Sequence, residues 1–148
     1  ALGCGEGALM LMLAPLAGLH PGLAAWFAAL GVLALTALAL SSLGFLFAWG
    51  MESVQGFHAV MNLLLFPLWL LSGAFFPASG ASTWVQVVMA VNPLSYGLSA
   101  LRHLLLDNAA MSAGLGGTAL STSIPVLAVM AMVLLMLCAW KVSRPPKS

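Results

Sequence analysis

Charge is what this sequence has least of. Lys and Arg number four and Asp and Glu three, 5% of the 148 residues, where a soluble domain carries about 25%. So few charges cannot coat a water-exposed globule. With 63% hydrophobic residues and a mean hydropathy of +1.13, the solvent this chain is built for is lipid. The cations are scattered, whereas phosphate backbones require clustered Lys and Arg, so no nucleic-acid partner is expected. Only two cysteines occur, Cys4 and Cys138, far apart and without the C-x-x-C spacing of redox or metal sites.

Catalytic constellations are equally scarce. His20, His58 and His103 are neither in an H-E-x-x-H pattern nor within four residues of another His or Cys, which speaks against a metal site. The acids Glu6, Glu52 and Asp107 sit near different segment ends, and only Asp107 has a near partner for acid–base work, His103 four residues before it. An intramembrane hydrolase needs a nucleophile with its base, or paired carboxylates. No G-x-x-x-x-G-K-[ST] loop is present, so this chain does not hydrolyse ATP through one, and no cofactor is expected. The chain starts at Ala1 without a basic stretch or cleavage site, and it reads as part of something longer.

What is present is long apolar runs. A bilayer core of about 30 Å takes roughly 20 residues of helix. Four runs stand out, at 5–19, 23–49, 57–76 and 124–142, and the first, ended by His20-Pro21-Gly22, is short for a full crossing. Trp26 and Trp49 flank the second run, where amphipathic rings favour the headgroups. A polar patch, Met51 to Gly56, precedes the third run, within which Pro67 removes a backbone donor. Ser121, Thr122 and Ser123 are candidate N-caps for the fourth, with Pro125 in its first turn. The fold expected is all-α, a polytopic membrane helix bundle of four transmembrane helices. Lys141, Arg144 and Lys147 place the C-terminus in the cytoplasm by the positive-inside rule.

Residues 83–106 are helical in pattern without being a span. Trp84, Val87, Val88 and Val91 form one apolar stripe. Asn92-Pro93 then ends one helix and starts another, Asn as N-cap and Pro in the first turn. In the second piece Leu94, Leu98, Leu101 and Leu105 share a face, and Ser95, Ser99 and Arg102 another. Two short helices with a break suit the outer interface or an extracytoplasmic re-entrant hairpin better than a straight crossing, because Arg102 inside hydrocarbon is costly. Arg102 either snorkels to headgroups or bonds a carbonyl or carboxylate. Glu52 is either a solvated loop acid or a contact to a cytoplasmic partner.

Several pieces then fall in order. Glu52-Ser53-Val54-Gln55-Gly56 opens a span, Phe66-Pro67-Leu68 lies within it, and Leu71-Ser72-Gly73-Ala74-Phe75-Phe76-Pro77 ends it. Asn92-Pro93-Leu94-Ser95-Tyr96-Gly97 and Ala100-Leu101-Arg102 follow. Together they resemble the C-terminal signature region of the type 2 ABC exporter permeases, the group that includes drug-resistance and nodulation-type exporters. The signature positions are Glu52, Gln55, Pro67, Ser72, Gly73, Pro77, Asn92, Pro93, Tyr96 and Arg102. One departure is Ala81-Ser82, where the family often has Leu-Pro.

The resemblance implies a six-span permease of the bacterial inner membrane, of which this chain, 1–148, holds the third to sixth spans as one partial domain. It further implies a second permease copy, cytoplasmic ABC ATPase subunits as partners, and export of a substrate. The lack of a buried charge pair makes that substrate amphipathic or lipid-linked: a drug, a lipo-oligosaccharide or a polysaccharide precursor. The rival reading is a non-transport membrane protein, an intramembrane enzyme or a receptor-like subunit. Asn92-Pro93-Leu94-Ser95-Tyr96 does match the N-P-x-x-Y of seven-helix receptors, but the spans here are too few.

Overall fold

A computed structural model describes residues 2–49, 51–74, 82–106 and 117–144, and among these there are helices and turns but no strand. The helices are α1 (Leu2–Met12), α2 (Leu23–Ala48), α3 (Val54–Trp69), α4 (Thr83–Val91), α5 (Pro93–Leu105) and α6 (Leu120–Val142). Three stretches are long and apolar enough to cross a membrane: Leu23–Ala48, Val54–Ala74 and Leu120–Val142. The chain is a multi-pass helical membrane protein.

The first run departs from expectation. α1 ends at Met12, eight residues before His20, and a 3-10 turn over Ala14–Ala17 closes on Gly18 in the left-handed region (φ 80°). Pro15 is the cause: it has no N–H, and its ring crowds the Leu11 carbonyl four residues back. The described part of α1 is eleven residues, about 16 Å of helix, and among the described residues it is a shorter apolar helix beside three stretches long enough to cross.

Two helix starts also differ. α3 begins at Val54, because Ser53 caps it, its Oγ accepting from the Gly56 N–H at 3.0 Å. Gln55 and Gly56 therefore belong to the helix. α6 begins at Leu120 with Ala119 as N-cap and no side-chain cap, so Ser121, Thr122 and Ser123 lie inside it. Ser123 Oγ donates back to Ala119 O at 3.0 Å and Thr118 O at 3.1 Å. A hydroxyl satisfied within its own helix has no need to cap it.

The core is a three-helix contact in which α2, α5 and α6 each pack on the other two. Its centre is Val32, Ala100 and Leu127, with Leu35, Tyr96, Leu104 and Ile124 against them. The inward face of α2 is Ala29, Val32, Thr36, Ala39 and Ser42, and α5 turns Ser95, Gly97, Ser99 and Ala100 inward. These residues are small, and several carry hydroxyls. Thr36 and Ser42 donate to carbonyls one turn back, Val32 O and Leu38 O, both at 2.8 Å. In lipid, helices associate by close packing of such residues rather than by hiding apolar surface. The large apolar side chains instead face outward, Phe27, Leu63 and Met136 among them.

The ends of the bundle are fixed by two contacts. Lys141 Nζ donates to Leu46 O at 3.0 Å, and the Cys138 thiol to Ser42 O at 3.3 Å. α2 and α6 therefore run parallel, with their C-terminal ends together, and Lys141 serves as a cation on the negative end of α2. Trp49, Glu52 and Arg144 are at that same end, the Arg144 guanidinium 4.2 Å from the Trp140 ring. α3 starts there and finishes at the opposite end of the bundle.

Candidate functional site

Ser72 and Gly73 terminate the third run. Gly73 has φ 87° and ψ 6°, and the turn over Leu70–Ala74 is closed in i to i+5 fashion. A left-handed glycine with that wider ring is the geometry of a Schellman cap. Ser72, buried, donates its hydroxyl to Trp69 O at 2.6 Å. A Cβ on Gly73 would meet Met89 Cε at 3.2 Å as well as the strain of its φ. Gly73→Ala is expected to cost about 1–2 kcal/mol, read as a lower thermal denaturation midpoint of the purified full-length permease; an unchanged midpoint removes the capping role.

α4 and α5 form an open V around this turn. Both arms pack on Leu70–Ala74 rather than on each other, and the apex is Asn92, which is fully buried. Its Oδ1 accepts from Leu94 N at 3.0 Å, capping α5 as the sequence suggests, and its Nδ2 donates to Leu68 O at 2.7 Å. Leu68 lies six residues before the end of the span, roughly 9 Å along the helix. The apex thus reaches into the bundle, past the end of the α3 stretch. Tyr96 Oη, across the apex, donates to Ala90 O at 2.9 Å. Further along α5, Arg102 Nη1 donates to Gly73 O at 3.0 Å and Nη2 to Ala74 O at 3.4 Å. Of the alternatives for Arg102, the partner is a carbonyl pair, held by a planar fork at the end of a helix.

The face of α5 that enters the protein is the small and polar one, while its leucines are half-buried at the rim. On α4 the stripe of Trp84, Val87 and Val91 points outward. Of the signature positions, the structure brings together Ser72, Gly73, Asn92, Pro93, Tyr96 and Arg102. Glu52 and Gln55 lie at the far end of α3, exposed. Pro77 lies outside the described residues, as do Asp107, Lys147 and the Ala78–Ala81 stretch, so the pairing of Asp107 with His103 does too.

A second feature escaped the sequence reading. α3 has no buried residue; it meets α2 only lightly, as where Met61 Cε lies 3.4 Å from the Cβ position of Gly44, and is otherwise held through the Asn92 bond to Leu68 O and its terminal turn. Gln55, His58, Asn62, Phe66 and Trp69, spaced three or four apart, are all exposed and share one face, across the helix from the half-buried Val60, Leu64 and Leu68. Asn62 sits near the middle of the span. Three polar side chains on one outward stripe of a spanning helix do not suit lipid. Their i, i+3, i+7 spacing was the available signal.

The family model for the ABC-2 type transporter matches residues 4–106. The chain belongs to the ABC-2 type transporter family. The match covers α1 to α5 and includes the whole V and its contacts with α3. Comparison with curated proteins and with solved structures returned no match. ABC-2 proteins are the membrane permease component of ABC transporters, not themselves catalytic, and work with a cytoplasmic ABC ATPase. Transport, not intramembrane catalysis or reception, is the function class of this chain.

Proposed function

We propose that this chain is the carboxy-terminal part of an exporter permease, and that two permease copies and two separate ATPase subunits make up the working transporter. The observation that carries the reading is the outward polar stripe of α3 in a member of a transporter family. A face bearing Asn62 near mid-span, with His58 one turn nearer the end that Gln55 opens, is stable against a hydrated pathway or protein, and poorly stable against acyl chains. The end carrying Glu52, Lys141 and Arg144 faces the cytoplasm and the ATPase, and the V lies at the outer side, in the bacterial inner membrane. ATP binding shifts the permeases between access states by favouring one over the other. The substrate is an amphipathic or lipid-linked molecule, a drug or a glycan precursor.

The purified full-length permease alone is expected to show no ATP hydrolysis, and hydrolysis with export to appear when the ATPase is co-purified. Robust hydrolysis by the permease alone sinks the proposal. In intact cells, single cysteines at Ser53 and Ser143 are expected to be shielded from an impermeant thiol reagent and one at Thr118 to label. The opposite pattern inverts the orientation.

A further inference from the structure

Around Pro67 the outward stripe of α3 carries a depression of about 490 Å³ lined by Asn62, Leu63, Leu65, Phe66 and Pro67. Two polar groups belong to its lining residues. Asn62 is exposed, and its side chain makes no hydrogen bond within the described residues. The Leu63 carbonyl would accept from the N–H of residue 67 in a regular helix, and proline has none. An amide that both donates and accepts thus stands beside a carbonyl deprived of its usual donor, among apolar walls. Such a mixture fixes a ligand's orientation through few polar contacts and its affinity through apolar ones.

Charge narrows the ligand. Arg102 is committed to the carbonyls of Gly73 and Ala74, Lys141 to that of Leu46, and Arg144 stacks on Trp140. Among the described residues no Lys or Arg lines the depression. The nearest imidazole on the stripe is His58, one turn earlier, and it is not among the residues that line the depression. A phosphate or carboxylate would find no fixed counter-charge here.

We propose that Asn62 and the Leu63 carbonyl bind the uncharged hydroxyl or amide group of an amphipathic substrate, whose apolar body lies along Leu65 and Phe66. The assignment rests on the permease reading above and goes beyond it, since it selects a neutral polar group over the anionic headgroup of a lipid-linked phosphate. Pro67 is a positioning residue for this site, acting through the carbonyl it leaves open.

The test uses the full-length permease with its ATPase in nanodiscs and three probes that share a twelve-carbon chain: dodecyl glucoside, dodecyltrimethylammonium and dodecyl phosphate. Dodecyl glucoside is expected to stimulate ATP hydrolysis at about tenfold lower concentration than the other two. Asn62→Leu, a substitution a spanning helix tolerates well, should raise the half-maximal glucoside concentration about three- to tenfold, the equivalent of one lost hydrogen bond. Asn62→Gln should recover part of the shift, and Pro67→Ala, which returns a donor to Leu63, should act in the same direction as Asn62→Leu. Equal responses to the three headgroups, or an Asn62→Leu response equal to wild type, overturn the site while leaving the permease reading standing. Disulfide cross-linking of two Asn62→Cys copies at rest also overturns it, because the stripe then faces a second copy. Absence of any permease-dependent ATP hydrolysis removes both readings.

Discussion

Asn92→Ala in the full-length permease is expected to lower stability by about 2–3 kcal/mol and to reduce export more than Arg102→Lys does, at equal membrane abundance. Helix capping alone accounts for about 0.5–2 kcal/mol, and burial adds to it. Asn92 is fully enclosed and bonds both Leu94 N and Leu68 O, so truncation adds a lost hydrogen bond of roughly 1 kcal/mol to the lost cap. Asn92→Asp separates the two contributions. It retains the acceptor for Leu94 N but turns an oxygen toward the Leu68 carbonyl, and a buried carboxylate without a donor is costly. Asn92→Asp is therefore expected to be no better than Asn92→Ala in thermal denaturation; recovery to wild type would show that the bond to Leu68 contributes nothing. Arg102→Ala, which strips both carbonyl contacts at once, should exceed Arg102→Lys because lysine keeps the charge without the fork.

Gly97→Val is the second large effect. A Cβ at position 97 would run into Thr36 Oγ1 and lie 3.1 Å from Thr36 Cγ2, at the point where α5 presses against α2 in the core. Both helices are held on their other sides, so relief requires the V to move outward. The expected cost is about 1–3 kcal/mol for Gly97→Ala and more for Gly97→Val, read as a fall in the denaturation midpoint and in export. Thr36 spends its hydroxyl on Val32 O within its own helix, which makes it dispensable as a donor. Thr36→Ala should accordingly restore most of the loss in the Gly97→Ala background. If the double variant is as unstable as the single, the close approach of the helices is not the reason for glycine.

Much of this was legible in the residues. Scarcity of charge and runs of apolar residues specify lipid as solvent, and α2, α3 and α6 follow from length alone. Asn92-Pro93 stated a helix break, because Asn caps and Pro tolerates the first turn. Gly73 at the end of a run stated a helix stop, because only glycine takes φ 87° without strain. The signature pieces between Glu52 and Arg102 pointed to the family that the match over residues 4–106 then established.

Which faces meet was not legible. A spanning helix is apolar all round, so hydropathy carries no direction, and α2 in particular could turn any side inward. Its inward side was selected by small residues at three- and four-residue spacing, a packing property that appears only against a partner. The same holds for α5, whose Ser95 and Ser99 share a polar face in the sequence and are buried beside α2 and α6. Pro15 ended α1 at Met12, because a local backbone break outweighed the apolar residues that continue to Leu19. Arg102 had three possible partners in sequence. The choice fell on Gly73 and Ala74 because the V closes around the end of α3 and brings residues 28 and 29 positions apart within reach. Sequence thus determined the solvent, the breaks and the family; tertiary packing alone decided where each polar group is satisfied, since in lipid a hydrogen bond depends on which carbonyl the fold brings near.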